Sequence, residues 1–261
     1  MKVKIGLMGF GNIGRKLYSE ILNDESFEVS AISDIGDPKI LEYMLKQEFV
    51  NTKDVTLEKN YLISGKNKAR ILNVANPGEV AWDVFETDFV IDATGKFNSF
   101  IHMNEHINAG AERVVISSLP DDNIDRLVVF GVNDKSISLE DRTISAGSST
   151  MNAFSLLLSS LLKYEIDAIN MTTIHSFTSD QSLQDVAGSD FRCSRSASEN
   201  IIPNSSSVKK WISNLFPKLD NKVNSNALNV PVQKGSMLDL SIVFKSKNIS
   251  VEDINNLILE Q

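Results

Sequence analysis

The 261-residue sequence predicts an α/β fold: a doubly wound parallel sheet followed by a shorter α+β domain. Three observations lead there. Short apolar runs alternate with helical spacings through the first half. A glycine-rich turn joins the first such run to the first helix. The second half then changes to one long apolar helix and long strand-like runs, which places a domain boundary at 148, with 1–148 and 149–261 as the two domains.

The elements follow in order. KVKIGLM (2–8) reads as a buried strand, and Gly9-Phe10-Gly11-Asn12-Ile13-Gly14 follows at once. RKLYSEILND then carries apolar residues at 17, 21 and 22, a helical spacing. FEVSAIS (27–33) is a second strand, and 39–46 a helix behind Pro38, a first-turn proline. Signals are weaker over 50–85, with a β-like ARILNVA (69–75) and a turn at Asn76-Pro77-Gly78. DFVIDAT (88–94), a helical stretch at 98–109, RVVISS (113–118) and RLVVFGV (126–132) complete the alternation of a Rossmann-type sheet. In the second half, 149–164 is a leucine-rich helix and 166–177 a long strand. Residues 178–207 are Ser-rich and aperiodic. A helix at 208–216, strands in NALNVPV and SMLDLSIVF, and a helix in VEDINNLILEQ close the chain.

Composition narrows the function. Hydrophobic residues at 42% and charged residues at 23% suit a packed core and exclude disorder. A net charge of −8 argues against a nucleic-acid partner, which needs a basic face. The lone Cys193 excludes a disulfide framework and a Cys-rich zinc site. His102 and His106 stand at metal-compatible spacing on the 98–109 helix, but no third ligand type clusters with them, so they read as surface helix residues. No metal is expected. No apolar run approaches the roughly 18 residues of a membrane span, and the N-terminus reads as strand and turn rather than signal peptide. The expectation is a soluble cytoplasmic protein with no membrane partner.

The glycines of Gly9-x-Gly11-x-x-Gly14 supply a tight turn, close approach of backbone to pyrophosphate, and helix–strand packing. The following helix offers free N–H groups and its positive dipole end to the phosphates. Asp34, twenty residues beyond Gly14 at the end of the second strand, suits the ribose hydroxyls. A carboxylate there repels a 2′-phosphate, which favours NAD over NADP. A plain glycine-rich turn with an incidental acid is the alternative.

IGLMGFGNIGR, AISDIGDPKILEYMLK, DATGKF, AGAERVVISS, FGVND, ISAGSSTMNAF, MTTIHSFTSDQSLQD, NIIPNSSS and NVPVQKGSMLDL together resemble the glyceraldehyde-3-phosphate dehydrogenase family. The resemblance covers essentially the whole chain, in order and at family-like spacing. It implies an NAD-dependent oxidoreductase of glycolysis that converts a phosphorylated aldehyde, glyceraldehyde 3-phosphate or erythrose 4-phosphate, into an acyl phosphate with inorganic phosphate. It implies a homo-oligomer, a tetramer in the family, or a hetero-oligomer with an active paralogue. It also implies that Gly9, Phe10, Gly11, Asn12, Ile13, Gly14, Asp34, Thr94, Gly95 and Ser117 line the cofactor.

The resemblance breaks at the reaction centre. The family places a nucleophilic cysteine in S-C-T-T-N, activated by a histidine. Here the stretch is Ser148-Ser149-Thr150-Met151-Asn152, so Ser149 stands at the nucleophile position, with His175 as the implied base. A serine hydroxyl is far less acidic than a thiol, and a histidine rarely activates it without a third, orienting group. Catalytic impairment is therefore expected. Ser149 also reads as an ordinary helix N-cap, and His175 as a hydrogen-bonded core histidine. For the substrate phosphate, Thr178 matches the family, whereas Asn229 replaces an arginine. For the attacking phosphate, Ser148, Thr150 and Ser206 keep hydroxyls, and Ser207 replaces a glycine. Met8 and Asn12 replace the Asn and Arg usual in the cofactor turn.

Two further expectations concern the second half. The resemblance ends at VEDINNLILEQ, which implies a truncated catalytic domain lacking the family's last strands and the Asn that orients the nicotinamide. Apolar strand faces such as SMLDLSIVF would then be exposed and favour assembly. A diverged paralogue and a gene fragment both fit, and divergence accounts for Asn229 and Asn12 as well. The Ser-rich run 194–207 reads as a flexible linker by composition. By resemblance it is an ordered loop at a subunit interface, with Cys193 an incidental thiol.

Overall fold

In β1 (Val3–Met8), Ile5 and Leu7 enter one hydrophobic core and Met8 the other, the alternation of a strand covered on both faces. The computed structural model describes residues 2–178, 181–188, 190–246 and 248–260. The chain forms two compact units. One holds the chain up to Val128 together with Asp134–Ser148, the other Val129–Asn133 and the chain from Ser149 on.

In the first unit β1 is followed by α1 (Asn12–Ile21), β2 (Phe27–Ser33), α2 (Pro38–Glu48), β3 (Thr56–Glu58), β4 (Tyr61–Ser64) and β5 (Asn67–Leu72). Next come β6 (Phe89–Asp92), α3 (Phe100–Asn108), β7 (Arg113–Ile116), β8 (Arg126–Leu127) and β9 (Thr143–Ser145). They build one sheet in the order β3-β4-β5-β2-β1-β6-β7-β9-β8. From β5 to β8 every pairing is parallel, and β1 lies between β2 and β6. One core, with Phe10, Tyr18, Ile32, Leu41 and Leu45, packs α1 and α2 on the sheet, and the other holds Trp82, Val90, Met103 and Val114 beneath α3. Asp37 caps α2 through the Lys39 amide at 2.8 Å, with Pro38 in the first turn.

The sheet departs from the expected parallel one at its edge, where β3, β4 and β5 pair antiparallel. The β4–β5 link is only Gly65-Lys66, too short for a parallel crossover, and Gly65 takes φ +57° to close it. The strand expected over 126–132 is confined to Arg126–Leu127. At 129–133 the chain instead makes a turn: the Asn133 amide bonds to Val129 O, and Asn133 Oδ1 accepts the Val129 amide at 2.7 Å.

The second unit contains α4 (Ser149–Leu161), β10 (Ile166–Ser176), β11 (Ile202–Asn204), α5 (Val208–Leu215), β12 (Val223–Val230), β13 (Ser236–Phe244) and α6 (Val251–Leu259). Its sheet runs β11-β12-β10-β13, with β10 parallel to β12 and antiparallel to β13. α4 buries Met151, Phe154, Ser155 and Leu158, an i, i+3, i+4, i+7 face. On β13, Leu238, Leu240, Ile242 and Phe244 are half-buried, and Met237 and Val243 are exposed. The described part of the loop after β10 is cross-bonded rather than linker-like. Asp185 pairs with Arg195 at 3.1 Å and accepts the Ser196 amide at 2.8 Å, and Ser196 Oγ donates to Leu183 O. Among the described residues no helix is long and apolar enough to cross a membrane.

Candidate active site

Gly9 leaves β1 at φ +87°, a backbone region that disfavours a side chain. A Cβ on Gly14 would lie 2.1 Å from Gly9 O, so the turn closes onto α1 only with glycine there. A Cβ on Gly11 would meet nothing within 4 Å, so the turn faces open space. Gly11 caps α1 without a side-chain bond, which leaves the first helical amides, those of Asn12, Ile13 and Gly14, without a cap. The Phe10 ring is buried and packs edge-on against Tyr18 at 5.6 Å, so only the backbone of Phe10 belongs to the site. Ile13 is half exposed beside it.

Asp34 joins this turn directly. Its Oδ2 accepts the Phe10 amide at 2.6 Å and its Oδ1 the Gly36 amide at 2.7 Å. Each oxygen keeps a lone pair for a hydroxyl donor. Thr94 backs onto Gly9: a Cβ built on Gly9 would sit 2.9 Å from Thr94 Cγ2. Gly95 follows at φ +68° with open space around it, and the Ser117 amide donates to Asp92 O at 3.0 Å. All these residues gather at the C-terminal ends of β1, β2, β6 and β7, where the strand order reverses around β1. An open glycine cradle, uncapped helix amides and a carboxylate beyond them fit a dinucleotide.

Arg15, absent from the sequence expectations, braces the turn. Its buried guanidinium bonds Glu48 at 2.9 Å, Phe10 O at 3.0 Å and Asn12 Oδ1 at 2.8 Å. The arginine immediately after the third glycine was the available signal.

The second unit carries most of the remaining candidates and links His175, Asn229 and Thr178 among them. α4 begins at Ser149 itself, so the cap position falls on Ser148 and the N-cap reading of Ser149 is corrected. The Ser149 side chain is exposed, and Thr150 is half-buried. His175 is half-buried on β10 and is not a core residue. Its Nδ1–H donates to Ser176 O at 2.6 Å, which directs Nε2 away as the acceptor nitrogen. In register beside it on β12 stands Asn229, which is buried. Asn229 Nδ2 donates to Gln181 Oε1, which also accepts the Thr178 amide at 3.3 Å. Gln181, absent from the sequence expectations, thus ties Thr178 to Asn229. Ser179 and Asp180 of the same motif lie outside the described residues. Ser206 and Ser207 stand at the start of α5, where a cavity of about 590 Å³ is lined by both serines, Lys209, Lys210, Asn214 and Asp220.

The surface reading of the helix histidines is corrected at His106, which is fully buried; His102 is half-buried, with Nδ1 2.8 Å from Ser99 Oγ. The burial follows from Met103 and His106, three apart on α3, facing the core together. No group of three metal-ligating side chains occurs among the described residues.

A mainly parallel sheet with a dinucleotide cradle at its switch point, followed by a mixed-sheet unit carrying a histidine at its strand end, defines an NAD-binding oxidoreductase class. The family model described as glyceraldehyde 3-phosphate dehydrogenase, NAD binding domain, matches residues 3–100, and that of the C-terminal domain matches residues 148–261. The chain belongs to the glyceraldehyde-3-phosphate dehydrogenase family. It is 35% identical to the glyceraldehyde-3-phosphate dehydrogenase of Priestia megaterium, over 100% of this chain and 78% of that protein. It is 37% identical to that of Mycobacterium avium, over 98% and 78%, and 36% identical to that of Clostridium pasteurianum, over 97% and 77%. NAD is the cofactor of the family.

Proposed function

We propose that the chain binds NAD through residues 1–148 and a phosphorylated aldehyde through residues 149–261, and that its phosphorylating oxidation is severely impaired. The observation that carries this reading is the Ser149 hydroxyl at the start of α4, the position that by resemblance belongs to the nucleophilic cysteine, while the one cysteine of the chain, Cys193, lies elsewhere. NAD, when bound, supplies the hydride acceptor. The α1 amides and the glycines hold its pyrophosphate, Asp34 takes ribose hydroxyls and repels a 2′-phosphate, and Thr94, Gly95 and Ser117 line the remainder.

His175 Nε2 takes the Ser149 proton. Its orientation comes from a neutral carbonyl, Ser176 O, which stabilises an imidazolium less than a carboxylate does. The helix dipole at the start of α4 favours the alkoxide, but its contribution of at most about 2 kcal/mol is small against the acidity gap between hydroxyl and thiol. Thr178 and Asn229 receive the substrate phosphate, with a neutral amide where a guanidinium would make a charge-assisted pair. Ser148, Thr150, Ser206 and Ser207 receive the attacking phosphate, and Lys209 and Lys210 near the serines support an anion there. The protein works in the cytoplasm, as a homo-oligomer or as a hetero-oligomer with an active paralogue; the exposed Met237 and Val243 on β13 support assembly, which light scattering checks.

The test is Ser149→Cys. The new thiol, at the start of α4, is expected to alkylate faster than Cys193 at neutral pH if His175 serves it as base. Phosphate-dependent turnover is expected to stay low because Asn229 does not replace the cationic clamp. Full turnover in this single variant would contradict the role given to Asn229.

A further inference from the structure

His106 takes no part in the functions above, yet it lies at the centre of a buried hydrogen-bond chain. Trp82 Nε1 donates to His106 Nδ1 at 3.0 Å, and His106 Nε2 faces Asp92 Oδ2 at 3.2 Å. Indole N–H is a donor only, so Nδ1 is the acceptor and the ring proton sits on Nε2, pointing at the carboxylate. The other carboxylate oxygen, Asp92 Oδ1, accepts Thr94 N at 2.8 Å and Thr94 Oγ1 at 2.6 Å. Thr94 Oγ1 in turn accepts the Lys96 amide at 3.1 Å. Trp82, His106 and Asp92 are all 2% exposed or less.

The surroundings are built for this chain. A Cβ on Gly6 would lie 2.5 Å from the Trp82 ring, so glycine in the middle of β1 makes room for the indole. A buried carboxylate needs every donor it has. Asp92 has three from side chains and the adjacent turn, and its main-chain oxygen also holds the Ser117 amide. Orienting Asp92 therefore fixes the turn at Thr94 and Gly95, which backs onto Gly9.

We propose that Trp82, His106 and Asp92 form a positioning relay that sets the shape of the Thr94–Gly95 turn for NAD, with His106 held as the Nε2–H tautomer. The proposal rests on the reading that this turn touches the cofactor. His106 is a positioning residue, because it acts through Asp92 and Thr94.

The test combines NAD titration by calorimetry with nitrogen-15 NMR of the free protein. The His106 ring is expected to carry its proton on Nε2, and the Thr94 amide to be strongly protected from hydrogen exchange. In His106→Phe the NAD dissociation constant is expected to rise about tenfold, the equivalent of one hydrogen bond to a charged group, with faster exchange at Thr94. His106→Gln, whose amide can donate to Asp92, is expected to recover most of the affinity. If His106→Phe does not fold, the tautomer and Thr94 protection in the wild-type chain and in Trp82→Phe decide the matter. A proton on Nδ1 overturns the proposal, as does a folded His106→Phe protein with wild-type affinity. A wild-type chain that binds no NAD overturns the cofactor assignment of the turn instead, and does so with the free-protein readouts unchanged.

Discussion

Asp34 Oδ2 accepts the Phe10 amide at 2.6 Å, which ties the end of β2 to the glycine turn that follows β1. One carboxylate thereby shapes the turn, and in the proposed function it also meets the ribose hydroxyls. On that reading NAD binding and local stability are coupled through the same side chain.

Asp34→Ala is expected to weaken NAD binding by at least about tenfold and to shift the NAD-to-NADP preference toward NADP. It is also expected to cost about 2 kcal/mol of stability, since two backbone amides lose a charged acceptor. Calorimetry with both cofactors and urea denaturation measure the two effects. Unchanged NAD affinity would remove Asp34 from the site.

The glycines of the turn separate into two kinds. Gly14→Ala drives a Cβ into Gly9 O and is expected to destabilise the protein by about 3 kcal/mol or more. Gly11→Ala meets no atom, so its melting temperature is expected to stay near wild type while NAD affinity falls. Equal melting losses in the two variants would contradict the geometry of the cradle.

Tyr18 is buried against Phe10, and its hydroxyl has no hydrogen-bond partner among the described residues. Burial pushes its phenol well above the usual tyrosine range. Tyr18→Phe removes an unsatisfied polar atom and keeps the ring, so it is expected to be neutral or stabilising by about 1 kcal/mol. Thermal unfolding that shows a clear loss would mean that the hydroxyl is satisfied in solution.

Asp141 is held below the usual carboxylate range, first by Arg126, which bonds it through Nε at 3.0 Å and a second nitrogen at 3.2 Å, and then by the Ser138 amide at 2.8 Å. Because its folded value lies below the unfolded one, it contributes stability that is fully present above the ordinary carboxylate range and is lost as pH falls from that range through the lower folded value. Asp141→Asn is expected to lower stability at neutral pH by about 2 kcal/mol and to flatten the acid limb. Parallel acid limbs in the two proteins would assign the decline to other groups.

The first turn was legible because its chemistry is local: the strand, the three glycines and the start of the helix lie within the first fourteen residues, and Asp34 is fixed by the length of one βα unit. The β3–β4 edge was not, because runs as short and polar as Thr56–Glu58 carry no period. His106 misled for a similar reason. The polar letters around it suggest a wet helix, whereas its partners come from a distant turn at Trp82 and a different element at Asp92. Gln181 was hidden in an aperiodic, Ser-rich stretch whose role depends on β12 arriving beside β10.

The deciding measurement is phosphate-dependent NADH formation from glyceraldehyde 3-phosphate by the unaltered chain, run beside NAD calorimetry on the same preparation. The expected result is clear NAD binding with no NADH signal above background, a rate several orders of magnitude below that of a thiol enzyme. Robust turnover by the unaltered chain would contradict the account and make Ser149, deprotonated by His175, a working nucleophile.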